Sequence, residues 1–210
     1  MKKIIPLFAI ILLSFTAISQ QNIVDLPKPE KKGGKPLMEA LNERQSSRSF
    51  SDKLMPRQNL SDMLWAAFGI NRPENSKRTA PTSRNVQDID IYVVTKEGAY
   101  LYLPEKHALQ HIVGDDIREF MGKQEFVADA AVNIVYVSDF SKYKGDNDEV
   151  KKITASAHCG FIGQNVYLYA ASEGLSCVFR AWIDKELIHE KLGLEKNQHV
   201  MYSQTVGFPE

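Results

Sequence analysis

The chain has 210 residues, a formal net charge of zero, 43% hydrophobic residues and 25% charged ones. That balance supplies a sizeable core and excludes collagen-like, disordered and disulfide-framework proteins. It argues against nucleic acid as the main partner, which calls for a net basic surface. Two cysteines, Cys159 and Cys177, are too few for a four-cysteine metal site.

Lys2 and Lys3 precede an apolar run from Ile4 to Leu13, and Ala17 and Ser19 follow two apart. This predicts a secretory signal over residues 1–19, cleaved after Ser19. The run falls short of the ~20 apolar residues that a spanning helix needs. The expected product is exported and periplasmic, with no stable membrane insertion after cleavage. Pro27, Pro29, Gly33 and Gly34 then lie among scattered charges, which predicts a flexible tether over 20–35 and a single folded domain over 36–210.

Pro36 opens a short helix with Leu37, Met38 and Leu41 on one face and Arg44 at its end. A second helix is expected from Pro56 to Phe68, where Leu60, Met63, Leu64, Ala67 and Phe68 recur at helical spacing before Gly69. Residues 71–88 read as a long polar loop. Residues 89–94 alternate as a strand, and 100–103 read as its hairpin partner after Gly98. Residues 105–121 are expected to be helical, 131–137 a buried strand, and 141–149 a charged loop. Residues 153–172, apolar on most sides, read as a central helix stopped by Gly174. An extended segment over 177–181, a helix capped by Asp184 and ended by Gly193, and a strand over 199–206 complete an α+β pattern.

Three segments carry candidate chemistry. Arg44-Gln45-Ser46-Ser47-Arg48 sets two guanidiniums and two hydroxyls just after a helix, a donor set that suits phosphate oxygens. The same residues also read as a solvated turn. Residues 77–87 form a proline-braced loop rich in Ser, Thr, Asn and Gln, able to face a flat heteroatom ring. A plain surface loop is the alternative, and its length points to function. Gln164 and Asn165 interrupt an apolar helix and need partners, whether in a loop, a subunit contact or a ligand.

Together these segments resemble the nitroreductase superfamily of FMN-dependent oxidoreductases. The likeness rests on five motifs in order: Arg44-x-Ser46-x-Arg48, Leu64-Trp65-Ala66-Ala67-Phe68-Gly69, Arg78-x-x-Pro81-x-Ser83, Gln164-Asn165-x-x-Leu168-x-Ala170-x-x-x-Gly174-Leu175, and Val206-Gly207-Phe208-Pro209. The loop and the Leu-Trp helix look most like the compact branch that includes thiazole- and oxazole-forming dehydrogenases. The resemblance implies a central antiparallel or mixed sheet flanked by helices, in an intertwined homodimer with FMN at the subunit boundary. It implies that Arg44 and Ser46 hold the FMN phosphate and that Arg48 reaches the phosphate or the N1/O2 edge of the flavin. Ser83 and Asn85, and more weakly Gln87, would line the pyrimidine side or ribityl chain. Arg180-Ala181-Trp182 would offer backbone N–H groups near N5 and O4, with Trp182 walling or closing the substrate pocket.

No side-chain acid or base is implied; hydride passes through N5 to a small organic acceptor in two alternating steps. Relatives often carry Lys and Arg after the Gly-Phe-Pro ending, where this chain has Glu210, and Arg78 or Arg84 is the expected substitute. Export removes the protein from reduced nicotinamides, so an envelope electron donor is expected. A non-catalytic flavin- or ligand-binding envelope protein on the same fold is the alternative, and a structural envelope protein a third. Among weaker signals, His107 and His111 are four apart without a third ligand and read as exposed. His158 reads as a satisfied core histidine, and Cys159 and Cys177 read as buried thiols with a bridge as the alternative. Residues 146–149 read as a solvated acidic turn.

Overall fold

Residues 132–137 are mostly apolar on both faces because they lie inside a sheet covered on both sides. The computed structural model describes residues 22–145 and 147–210, and the expected leader over 1–19 lies outside them. Among the described residues, nine strands run β1 Ile23–Asp25, β2 Ile70–Arg72, β3 Lys77–Arg78, β4 Ile89–Thr95, β5 Gly98–Leu103, β6 Ala108–Val113, β7 Val132–Asp139, β8 Ser176–Arg180 and β9 Gln198–Gly207. Four helices are α1 Leu37–Glu43, α2 Arg57–Phe68, α3 Asp148–Ser172 and α4 Lys185–Leu192. Seven strands form one antiparallel sheet in the order β1-β6-β5-β4-β7-β9-β8, and β2 and β3 form a separate small hairpin. This is the α+β architecture with an antiparallel sheet that the sequence implies.

Alternation along β7 divides the core. Val132, Ile134 and Tyr136 pack beneath α2 and α3 together with Met63, Leu64, Ile162 and Val166. Val135 and Val137 face the other way, against Ile117, Met121, Ile188 and Leu192. Buried amides are satisfied where they occur. Gln204 accepts from the Tyr136 hydroxyl at 2.5 Å and donates to the Gly163 carbonyl at 3.1 Å. The thiols of Cys159 and Cys177 are both buried and free.

Three expectations are corrected. Residues 105–121 are not a helix. Ala108–Val113 pairs with β5, and only Arg118–Met121 makes a short 3-10 turn. The chain reverses at His107, in the left-handed region at φ 47°, and cross-strand pairing overrides helical spacing there. Nor are residues 22–35 a free tether. β1 extends the sheet beside β6, the Ser61 hydroxyl donates to the Pro27 carbonyl at 2.6 Å, and the Lys35 N–H donates to Ser172 Oγ at 2.8 Å. A proline- and charge-rich segment gains order from main-chain bonds to an open sheet edge, which composition does not report.

Helix α3 begins at Asp148, earlier than the apolar run suggests, because Asn147 Oδ1 accepts from the N–H groups of Glu149 and Val150. The residues read as an acidic turn are therefore a helix start, with Asp146 outside the described residues. His158, Cys159, Ile162, Gly163, Val166 and Ala170 face the core. The opposite face is exposed along Val150, Ile153, Ala157, Gly160, Phe161 and Gln164, with Ile153 67% and Phe161 48% accessible. The chain thus covers only one side of this helix.

Candidate functional site

The first cluster forms where α1 ends. Residues after Arg44 run along the outer edge of β8, and the Ser47 N–H donates to the Cys177 carbonyl at 2.9 Å. The Ser176 hydroxyl bonds Ser47 Oγ at 3.0 Å. Tyr167, on the last turns of α3, closes the same edge. Its hydroxyl accepts the Phe179 N–H at 2.8 Å and pairs with Ser46 Oγ at 2.8 Å. The Arg44 guanidinium lies over the Tyr167 ring at 5.3 Å. A cleft of about 590 Å³ opens here, lined by Arg44, Ser47, Tyr167, Gly174, Ser176 and Pro209 among others. Among the described residues, neither Arg44 nor exposed Arg48 has a carboxylate partner. The unpaired Arg44 guanidinium beside the Ser46 and Ser47 hydroxyls is a donor set suited to an anion, whereas Arg48 is exposed and does not line this cleft.

The second cluster is the loop before β4. Ser83 and Asn85 are exposed and line a cleft of about 600 Å³ with Arg84, Lys142, Lys144 and Thr154. Gln87 does not face this cleft. Its amide donates to the Ser76 carbonyl at 3.0 Å and to Asn85 Oδ1 at 3.2 Å, and its oxygen accepts from Arg78 at 3.0 Å. Arg78 is buried and bound to Glu105 at 2.7 Å and to the Phe68 carbonyl. It is therefore committed to the fold and is no substitute phosphate ligand, whereas Arg84 stays exposed at the cleft.

Strand β8 leads into the Arg180-Ala181-Trp182 segment. Arg180 points away from α3, into the opposite layer. It donates to the Met121 carbonyl at 3.1 Å, Asn133 Oδ1 at 3.1 Å and Ser203 Oγ at 2.9 Å. Its Nε has no partner, and burial pushes the guanidinium down to about 10, still charged at neutral pH. Its side chain anchors the end of β8. Ala181 and Trp182 follow on the surface, with Trp182 64% exposed.

A single chain does not bring these clusters together. The Arg44 cleft meets α3 at Tyr167, and the Ser83 cleft meets it at Thr154. Thirteen residues of helix separate those positions, about 20 Å at the usual rise. Asn165, singled out as a polar interruption, donates to the Ala67 carbonyl at 3.4 Å and ties α3 to α2, and Gln164 lies on the exposed face. Tyr167 carries more of the first cluster than its place in an apolar run suggests. Its helical spacing from Ala170 and Ala171 was the available signal. His107 and His111 sit in a hairpin, His107 between Ser61 Oγ at 2.7 Å and the Tyr102 hydroxyl at 2.9 Å, and His111 edge-on to Tyr100.

The model of the nitroreductase family matches residues 41–208, which spans both clefts. The chain belongs to the nitroreductase family. A crystal structure of a candidate nitroreductase from Ralstonia eutropha superposes with a TM-score of 0.85 at 34% identity, covering 90% of each chain. The NADPH-flavin oxidoreductase of Vibrio harveyi is 26% identical over 104 residues, 46% of this chain and 43% of that protein. A chain of the E. coli microcin synthetase complex shares the fold, with a TM-score of 0.69 at 17% identity over 98% of this chain and 85% of its own. Within this nitroreductase-family chain, Arg44 of the Arg-x-Ser-x-Arg motif and Ser83 of the Pro-x-Ser loop line the two clefts, and Gln164 lies on the exposed face of α3.

Proposed function

We propose that the protein is an FMN-dependent oxidoreductase that works as a homodimer, with each flavin spanning two protomers. The observation that carries this reading is the placement of two incomplete clefts at opposite ends of one half-covered helix. An isologous pair of α3 helices, antiparallel and centred on Gly160 and Phe161, sets Thr154 opposite the partner's Tyr167 and Val150 opposite the partner's Ala171. That pairing covers Ile153 and Phe161, and it joins the anion-binding cluster of one protomer to the Ser83 loop of the other. An exposed apolar stripe of this kind marks an interface.

The residues present fit the cofactor. Arg44 and Arg48, without carboxylate partners, and Ser46 would hold the phosphate. Ser83 and Asn85 would face the ring or ribityl chain, and Arg84 adds charge at that cleft. Ala181 and Trp182 would border the reacting edge, where the exposed indole shapes what can approach. FMN, when bound, supplies two-electron exchange with a small organic acceptor. The Vibrio harveyi relative, a flavin oxidoreductase by name, supports the cofactor class. The composition of residues 1–19 supports export and an electron donor in the envelope; a leader found intact in the cytoplasmic fraction would end that part.

The decisive measurement is the absorbance spectrum of the full-length protein after incubation with FMN and gel filtration. Flavin bands that bleach with reductant under anaerobic conditions, and return over many turnovers with a quinone or nitroaromatic, support the reading. Protein that stays colourless defeats it.

A further inference from the structure

We propose that His158 and Asp88 form a buried positioning pair that sets the Ser83–Gln87 loop for its ligand. The inference rests on the reading of that loop as flavin-binding, and its loop geometry stands apart from that reading.

Arg84 and Asn85, which line the cleft, and Gln87 behind them all adopt left-handed backbone, at φ 52°, 55° and 47°. Residues with a Cβ avoid this region, and such clusters persist only where surrounding contacts over-determine them. Two contacts brace the loop ends. The Gln87 N–H donates to Thr82 Oγ1 at 3.0 Å, and the Ser83 N–H donates to His158 Nε2 at 2.8 Å.

A main-chain amide can only donate, so His158 Nε2 is the accepting nitrogen and the ring proton sits on Nδ1. That nitrogen meets Asp88 Oδ1 at 2.5 Å. The other carboxylate oxygen of Asp88 accepts from Ser138 at 2.6 Å and from Tyr143 at 2.8 Å. Hydrogen bonds thus converge on Asp88, from Ser138 on β7 and Tyr143 on one side and from the first amide of the loop through His158 on the other. His158 and Asp88 are 2% and 0% exposed. Neither can touch a substrate, so the pair acts on the ligand only through the loop. Tyr143 closes the circuit, because it lines the same cleft as Ser83 and Asn85.

The test follows FMN affinity by fluorescence quenching, and hydrogen–deuterium exchange over residues 82–88 in the cofactor-free full chain. His158→Leu is expected to lose loop protection while β7 and β9 keep theirs, and to weaken FMN binding about tenfold, the worth of one lost directional hydrogen bond. His158→Gln offers one acceptor and one donor in the same place and restores both readouts. Ser83→Pro removes the donated amide without touching the buried pair, and it should bind FMN about tenfold more weakly than Ser83→Ala, which loses only the hydroxyl. That comparison decides the matter if His158→Leu does not fold. Equal affinity of Ser83→Pro and Ser83→Ala, or a loop equally protected in His158→Leu, overturns the proposal. If the wild-type protein takes up no FMN, the flavin reading falls, and loop exchange alone decides whether the pair holds the loop.

Discussion

Asp88 shows how a single buried carboxylate is made tolerable. Burial alone raises its pKa, but hydrogen bonds from His158, Ser138 and Tyr143 outweigh burial and hold it below the ordinary value. The sign of the linkage follows. A depressed folded value means that the unfolded chain binds the proton more readily, so the stabilisation is complete above the ordinary aspartate pKa of about 3.9 and is lost as pH falls through the folded value. Asp88→Asn should therefore lose about 1–3 kcal/mol at neutral pH and show a shallower fall in thermal midpoint on acidification below about pH 4 than the parent. Differential scanning calorimetry at stepped pH measures both, and parallel acid limbs would contradict the assignment. Arg44 allows a functional prediction at the same scale. Its guanidinium rests on an aromatic ring with no carboxylate to satisfy it, so Arg44→Ala should leave the fold intact and weaken FMN binding by about tenfold or more, as loss of a charge-assisted contact implies. Titration of the apoprotein reports the change.

Helix α3 is the element on which the molecule turns. Its inner face tolerates little change at Gly163, where an added Cβ would lie 2.7 Å from Phe179 Cδ2 and 3.2 Å from Gln204 Oε1. Phe179 cannot easily retreat, because it stacks on Tyr136 at 5.6 Å and tilts against Tyr202 at 5.0 Å. Gly163→Ala should cost about 1–3 kcal/mol by overpacking, read as a lower denaturation midpoint in urea. The outer face poses the opposite case. Ile153 and Phe161 are exposed in one protomer, so Ile153→Glu should be nearly neutral for a monomer and disruptive for a dimer centred on this stripe. Light scattering coupled to gel filtration should show a wild-type dimer and a largely monomeric variant. A wild-type monomer that binds FMN fully would refute the shared site.

At the scale of the whole molecule, the sheet and its two covering layers were legible because burial leaves a pattern. The continuous apolar run of β7 and the 3.6-residue spacing of α2 survive translation into structure with shifts of a residue or two. β6 was not legible, because Ala108–Val113 lacks strict alternation and its strand character comes from pairing with β5. β1 was hidden for the same reason: nothing in Ile23-Val24-Asp25 marks a strand until the open edge of β6 is present. The candidate site divides along the same line. Arg44, Ser46, Arg48, Ser83 and Asn85 are candidates by residue type and order; Arg44 lines one cleft, Ser83 and Asn85 line the other, Ser46 bonds Tyr167 at the first, and Arg48 is exposed. Arg78 had equally suitable chemistry, yet Glu105, 27 residues away, claims it.

Local sequence thus determined which residues can bury apolar surface with helical or strand period, and which carry donors suited to a phosphate and a flat ring, since both are properties of side chains and their spacing. Tertiary structure alone decided which of those donors are free and which are spent on the fold, that the segment before Pro36 completes the sheet, and that the two clefts stand at opposite ends of one helix. Hydrogen bonds and ion pairs between residues distant in the chain are made only when the sheet and helices have come together, so no local pattern records them.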